Sequence, residues 1–354
     1  MGAVVSAADL QRLAQEKAFE PTQRFAELPA DHVPHTELGG EDVEARVLEM
    51  VTYEEPRVAV VWAPPGAGKS SVIATVGESL PSGFLLLQIP VWGLPDETVR
   101  SAPEFGRHVL AQVDALLGSH LQAHQRKRIG QGRVLKRTRQ SGGIGASAGL
   151  GLPIKGLDTN VALELRTATQ SIEEQVDAGS VYGGLESLRG IFEHQGIEPV
   201  FVIDDTDHWA GRGQEGIDVA RAFFSNVLRP YAKNLDLRLL LAVHDHYREL
   251  EEYIAARELV REFEVPALSP PAVALGRILA RRIGQSSRNV ALGEVFDDGA
   301  IDRLEAEYDR LGRDLRKTLT IVYIALAKAG PPFPERITKD HIRDTARGLY
   351  PATV

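Results

Sequence analysis

A short glycine-rich stretch carries the clearest chemical pattern in the sequence. The apolar run Val58–Trp62 leads into Ala-Pro-Pro-Gly-Ala-Gly-Lys-Ser-Ser at positions 63–71. In a loop of small residues, successive backbone N–H groups can point at phosphate oxygens, and a helix that begins there adds its positive end. The spacing therefore predicts that a nucleoside triphosphate binds here, and the predicted contacts are Pro65, Gly66, Ala67, Gly68, Lys69, Ser70 and Ser71.

Two side chains of this loop have predicted roles beside the nucleotide. Lys69 would reach the β- and γ-phosphates, and the Ser70 hydroxyl would bind Mg²⁺. ATP and Mg²⁺ are therefore the expected cofactors. The pattern usually opens with glycine, whereas this chain has Ala63. A residue with a Cβ atom fits that position if its φ angle is negative.

A second apolar run ends in acidic residues. Val200–Ile203 is followed by Asp204 and Asp205. Because ligands bind at the carboxyl ends of parallel strands, both carboxylates are expected near the phosphate loop. Asp204 would hold Mg²⁺ through water, and Asp205 would polarise the attacking water as a general base. The plainer alternative is a strand that ends in an Asp-Asp turn.

The elements that must position these residues alternate along the chain. Apolar strands predicted at 58–62, 84–89, 199–203, 237–243 and 262–265 are separated by segments with helical spacing, and only helical patterns follow Pro270. This order predicts an α/β fold, in which a parallel sheet has helices on both faces and is followed by a small all-helical lid domain. The predicted domains are a helical lead-in (1–57), the α/β domain (58–269) and the lid (270–354).

The composition excludes several other kinds of site. The chain of 354 residues has a formal net charge of −9, no cysteine and no apolar run of membrane-spanning length. Neither a disulfide nor a thiol nucleophile is possible, and a cytoplasmic location is expected. The 10 histidines show no H-E-x-x-H or similar spacing, so no structural metal is expected.

The order of these motifs resembles the AAA+ ATPase superfamily, in particular its origin-recognition/initiator-like branch and the related STAND-type signalling ATPases. The two motifs above match those called Walker A and Walker B, although Asp205 stands where glutamate is more usual in the family. The resemblance implies that a polar residue after the strand at 237–243 senses the γ-phosphate. His244 is first in line and Asp245 is the alternative, although a histidine at a strand end can also be a simple cap.

The resemblance also implies roles for arginines. Gly312-Arg-Asp-Leu-Arg316 is similar to the lid motif in which an arginine at a helix start reaches back to the γ-phosphate, and Asp314 would cap that helix. AAA+ rings complete the site with an arginine from a neighbouring subunit, for which Arg257 and Arg261 are candidates. A homo-oligomer is therefore expected. For Arg316, Arg257 and Arg261 alike, the plainer alternative is a solvated helix face.

The segment 126–178 is longer than the sheet requires. It contains a basic run at 126–139, a glycine-rich stretch at 142–152 and an alternating stretch at 161–169, which together predict a projecting β-hairpin. The hairpin and its basic flank could follow a DNA backbone, contact a neighbouring subunit or partner protein, or be a solvated loop. A membrane contact is a minor form of the partner interpretation. The winged-helix module of initiators is not expected, since the sequence ends at Val354.

Three functional hypotheses follow from these residues. The first is a Mg²⁺-dependent AAA+ ATPase that drives an oligomeric switch or motor on a partner. The second is a slowly hydrolysing, STAND-like scaffold that recruits an effector in signalling or antiphage defence. The third is a regulator of DNA transactions, such as transposition or initiation, that contacts DNA through the insert.

Overall fold

A parallel five-stranded sheet forms the framework of the protein in the computed structural model. The strands that neighbour one another across it are, in order, Phe84–Pro90, Glu198–Asp204, Arg238–His244, Val58–Ala63 and Arg261–Glu264. The structure describes residues 7–21, 25–53, 55, 57–130, 157–175, 181–204, 206–286, 290–328 and 336–351. The predicted α/β fold with a helical C-terminal region is confirmed. The strands are β1 (Val58–Ala63), β2 (Phe84–Pro90), β3 (Glu198–Asp204), β4 (Arg238–His244) and β5 (Arg261–Glu264).

The strand register brings the candidate residues to strand ends. Phe84 of β2 faces Glu198 of β3, and the pairing runs to Pro90 opposite Asp204. The core strands are buried because they are continuous apolar runs, as is typical of a parallel sheet covered on both faces. Ala63, Asp204 and His244 are the last residues of β1, β3 and β4.

Helices make up most of the remaining described chain. In chain order they are α1 (Ala7–Gln15), α2 (Leu28–Asp31), α3 (Val43–Tyr53), α4 (Lys69–Ser79), α5 (Asp96–Arg100), α6 (Ala102–Gly130), α7 (Thr159–Gln175), α8 (Val181–His194), α9 (Asp207–Ala210), α10 (Gly213–Phe223), α11 (Arg229–Asn234), α12 (Glu251–Arg257), α13 (Pro271–Ser286), α14 (Leu292–Val295), α15 (Ala300–Arg310), α16 (Leu315–Lys328) and α17 (Lys339–Leu349). A π turn, Phe224–Leu228, joins α10 to α11, and 3₁₀ turns span Phe25–Glu27 and Asp245–Glu249.

One compact unit, here called the loop–lid unit, comprises Met1–Val47, Trp62–Glu78 and Phe263–Val354. Its apolar core joins side chains from α1 and from the C-terminal helices, including Leu13, Leu279, Leu304, Val322 and Ile342. These positions recur at helical spacing on each helix, so each helix buries one face. The core therefore ties the N-terminal segment to the lid.

The other unit, here called the strand unit, comprises Leu48–Val61 and Ser79–Glu262. An aromatic cluster packs beside its strand ends. The ring centroids of Trp209 and Phe223 are 5.3 Å apart, and those of Phe224 and Tyr253 are 5.1 Å apart. The Tyr247 ring packs against Trp209, Phe224 and His244 in tilted or edge-on arrangements, and its centroid lies 5.6 Å from that of His244. The turns after β3 and β4 are thus fixed by buried rings.

The prediction of a strand at 161–169 is wrong. These residues belong to helix α7, in which Ala162, Leu165 and Thr169 are fully buried while Leu163 is 55% exposed. The buried positions follow the helical period i, i+3, i+7, which overrides the alternation of Val161, Leu163 and Leu165. Helix α7 packs on α6, where Arg166 Nε pairs with Asp114 Oδ1 at 3.0 Å. The other half of the predicted hairpin, at 142–152, lies outside the described residues.

Candidate nucleotide-binding site

The phosphate-loop candidate has the backbone that its glycines require. Gly66 and Gly68 have φ angles of +70° and +100°, a region that residues with a Cβ atom rarely adopt. Helix α4 begins directly afterwards at Lys69. Outside glycine, only Lys17 and Arg313 among the described residues have positive φ, so Ala63 meets the condition that its Cβ atom imposes.

The Lys69 ammonium lies against the start of this loop. Its Nζ donates to the carbonyl oxygens of Ala63 at 3.0 Å and of Pro64 at 3.1 Å, and the residue is buried. A buried ammonium requires such acceptors because its desolvation is costly. The cation is therefore held at the loop itself, where a phosphate group would meet it.

The start of lid helix α16 lies against the same loop. A Cβ atom added to Gly66 would overlap Asp314 Oδ1, and it would lie 2.7 Å from Asp314 Cγ and 3.3 Å from the backbone N of Arg316. Asp314 caps α16, since its Oδ1 accepts from the backbone N–H of Lys317 at 3.0 Å. The structure thus brings Gly66, Asp314 and Arg316 together, and the Arg316 side chain is exposed.

A third group touches helix α4 from the N-terminal segment. The Nδ1 atom of His32 lies 2.8 Å from Ser71 Oγ, while its Nε2 lies 2.7 Å from Glu44 Oε1. The Nδ1 atom of His35 approaches the same carboxylate oxygen at 2.6 Å. Burial would raise the pKa of Glu44, but the hydrogen bonds from His32 and His35 outweigh it and hold that pKa well below its usual range.

The acidic pair after β3 is described only in part. Asp204 is buried at the end of the strand, and Asp205 lies outside the described residues. Thr206 is buried directly after the pair, and its hydroxyl donates to the carbonyl of Ala242 in β4 at 2.7 Å. This bond ties Thr206, at the start of the turn after β3, to the neighbouring strand.

His244 has close neighbours within its own turn. Its Nδ1 accepts from the backbone N–H of His246 at 3.0 Å, and it lies 2.7 Å from Asp245 Oδ1. The ring therefore caps the 3₁₀ turn Asp245–Glu249. These contacts support the capping alternative for Nδ1, whereas sensing of a phosphate by His244 stays a prediction.

The two arginine candidates at the end of α12 and the start of β5 differ in their surroundings. Arg257 forms an ion pair with Glu262, which also accepts from Arg248 Nε at 3.1 Å and Tyr253 Oη at 2.8 Å. Burial would raise the pKa of Glu262, but its hydrogen bonds with Arg248, Tyr253 and Arg257 leave it below the ordinary value. The Arg261 side chain is exposed.

Comparison with solved structures identifies distant neighbours. The chain is similar to the Orc1 protein of Aeropyrum pernix in complex with DNA, with 17% identity and a TM-score of 0.48 over 92% of this chain and 69% of that one. It is also similar to Drosophila ORC bound to DNA, with 15% identity and a TM-score of 0.47 over 96% of this chain and 66% of that one. No protein-family model and no curated sequence matches it.

Within the described residues, none of the helices combines the length and the apolar character needed to cross a membrane.

Sequence reasoning missed the group formed by His32, His35 and Glu44. Its members are separated by short but irregular intervals, and none belongs to a recognised motif. The H-x-x-H spacing of the two histidines, followed by a carboxylate in the first turn of the next helix, is the signal that could have found it.

Proposed function

We propose that the protein is a Mg²⁺-dependent ATPase of the AAA+ type that acts as a nucleotide-driven oligomeric switch on a partner. One observation carries the proposal. The backbone of the glycine-rich loop at Gly66 is in direct contact with the start of lid helix α16 at Asp314 and Arg316. A group bound by the loop would therefore act on the lid.

The proposed chemistry assigns a role to each side chain. Lys69 and the backbone of 65–71 bind the phosphates, and Arg316 reaches the γ-phosphate from the first turn of α16. The Ser70 hydroxyl and the Asp204 carboxylate are hard oxygen donors of the kind that Mg²⁺ prefers, and the ion supplies charge neutralisation on the phosphates. Asp205 takes the proton of the attacking water as general base.

Oligomerisation enters through an arginine acting in trans. The side chains of Arg257 and Arg261 are both exposed, but Arg257 is already paired with Glu262 within its own chain. We therefore favour Arg261 as the residue that completes a neighbouring site. Most of the basic run at 126–139 lies outside the described residues. The described residues therefore do not favour either a protein or DNA as the partner of this run.

The test compares binding with turnover in purified full-length protein. Lys69→Ala should abolish ATP binding, because it removes the cation at the loop. Asp205→Asn should retain binding and lose phosphate release by a factor of about 100 or more, as expected for loss of a general base. The exposed Lys233 offers a matched control, since Lys233→Ala should change neither quantity.

Two results would overturn the proposal in different ways. Full turnover in Asp205→Asn would remove this residue from the role of base. Wild-type protein that binds ATP but releases phosphate at the background rate would instead support the slow, STAND-like switch.

A further inference from the structure

We propose that His32, His35 and Glu44 form a binding site for a divalent transition metal of the zinc type. His32 Nε2, His35 Nδ1 and a carboxylate oxygen of Glu44 all lie within 4.8 Å of one another. Two imidazole nitrogens and one carboxylate are the protein ligands of a common class of zinc site, in which the fourth position is open to water or another ligand. The inference does not require ATPase activity, and zinc binding can be measured without nucleotide.

The spacing of the donor atoms suits such an ion. In a tetrahedral site with bonds of about 2.0–2.1 Å, donor atoms are roughly 3.3 Å apart. Here Glu44 Oε1 lies 2.7 Å from His32 Nε2 and 2.6 Å from His35 Nδ1. Outward shifts of a few tenths of an ångström at each donor would therefore admit the metal without a change in the fold.

The outer contact of His32 is the one that a metal-bound imidazole needs. Metal-ligating histidines usually donate the second ring N–H to an oxygen, which fixes the tautomer and the ring orientation. His32 places Nε2 toward Glu44 and Nδ1 at 2.8 Å from Ser71 Oγ. With a metal on Nε2, the Nδ1–H donates to Ser71, so this hydroxyl is the second-layer partner of the site.

One oxygen of the Glu44 carboxylate is available to a further ligand. Oε1 of Glu44 accepts hydrogen bonds from the rings of His32 and His35 and from the backbone N–H of His35, the last at 3.2 Å. Oε2 is buried and has no hydrogen-bond partner among the described residues. An acceptor left unsatisfied in this way is costly, and a cation beside the carboxylate would satisfy it.

The segment that carries the histidines is held rigidly. The carbonyl of His35 accepts from Leu38 N at 3.0 Å and from Gly40 N at 2.9 Å, which closes a tight turn. Ser269 N donates to the carbonyl of Leu38 at 3.2 Å, and a Cβ atom on Gly39 would overlap the Ser269 carbonyl. The donors are therefore preorganised, since their backbone cannot relax freely.

The chemistry selects the class of metal. Nitrogen donors disfavour Ca²⁺ and Mg²⁺, which prefer oxygen ligands, and the chain has no cysteine to attract soft Cu(I) or an iron–sulfur cluster. Zn²⁺ suits imidazole and carboxylate together. Co²⁺ can replace it as a spectroscopic probe of the same site.

Tag-free full-length protein, stripped of metal, should be titrated with Zn²⁺ against a chelating dye, without nucleotide. We expect one Zn²⁺ per chain, and X-ray absorption should give nitrogen or oxygen neighbours at about 2.0–2.1 Å. Glu44→Gln and His35→Gln should each weaken binding by at least a factor of 10, and Ser71→Ala by a factor of about 10. His194→Gln removes an exposed histidine outside the cluster and should bind as wild type does.

Two outcomes would overturn the site. One is wild-type protein that takes up no Zn²⁺ in the titration. The other is Glu44→Gln and His35→Gln proteins that bind Zn²⁺ as tightly as wild type while circular dichroism shows them folded. A variant that fails to fold leaves the other variant and the X-ray absorption measurement on wild type to decide.

Discussion

Two regions hold the residues expected to sense a γ-phosphate: the start of lid helix α16, where Arg316 lies, and the turn after β4, where His244 lies. The two regions differ in what these residues contact. At the start of α16, the backbone N of Arg316 is 3.3 Å from the position that a Cβ atom added to Gly66 would take. The side chain of Arg316 is exposed. After β4, His244 has Nδ1 engaged by Asp245 and His246 of its own turn. A sensor needs an available head group beside the loop, and Arg316 is the better match.

The largest expected effect comes from closing the space between the loop and the lid. Gly66→Ala places a Cβ atom on Asp314 in addition to straining a positive φ. In the part of the chain that the structure describes, no atom beyond the chain neighbours of Gly68 lies within 4 Å of a Cβ atom added there, so Gly68→Ala meets only the strain. Gly68→Ala should therefore lower the free energy of unfolding by about 1–2 kcal/mol. Gly66→Ala should lower it by about 2–3 kcal/mol, because it also displaces the cap of α16.

Urea denaturation of both variants checks this prediction, and a double-mutant cycle sharpens it. In an Asp314→Ala background the carboxylate is gone, so Gly66→Ala should cost no more than Gly68→Ala does. Equal effects of the two glycine substitutions in the wild-type background would show that Gly66 and the lid helix are not in contact.

An effect of similar size, on the rate of hydrolysis rather than on stability, separates the two sensors. Arg316→Ala should reduce the rate constant of ATP hydrolysis by a factor of about 100, as for loss of a charged group that stabilises the transition state. His244→Ala should reduce it about fivefold or less, the equivalent of one hydrogen bond of about 1 kcal/mol. Single-turnover phosphate release at saturating ATP measures both.

Arg313 gives this comparison its control. It is an exposed arginine close to Arg316, and its Nε pairs with Asp309 Oδ1 at 3.2 Å, so Arg313→Ala should hydrolyse ATP as wild type does. A loss in His244→Ala as large as that in Arg316→Ala would reverse the assignment of sensor.

The smallest effect concerns Glu262, which holds Arg257. Its pKa is lower in the folded protein than the ordinary value of 4.5, so its contribution to stability is present above about pH 4.5 and is lost as the pH falls through the folded value. Glu262→Gln removes this group. Between neutral and acidic pH, the thermal unfolding temperature should therefore fall more steeply for wild type than for the variant. Parallel curves would exclude a stabilising role for the ionised Glu262 carboxylate.

Local patterns predicted the framework, and tertiary contacts decided the rest. The strands and the phosphate loop are encoded by contiguous runs, because a buried parallel strand and a glycine-rich turn each need specific residues in sequence. Helix α7 was predicted as a strand because its alternating positions also fit a helix, and only burial of Ala162 and Leu165 against neighbouring helices separates the two. The cluster at Glu44 depends on a turn held by Ser269, far away in the sequence.

Helix α6 has a mechanical consequence. Its 29 residues extend roughly 43 Å at 1.5 Å per residue. Among the side chains of this helix that the structure describes, those from Ala102 to His120 include the buried ones, and they belong to its first two thirds. The packing of these side chains anchors the first two thirds of the helix, and its far end carries the first residues of the basic run. A tilt of about 10° at the base moves that end by roughly 7 Å, given this length.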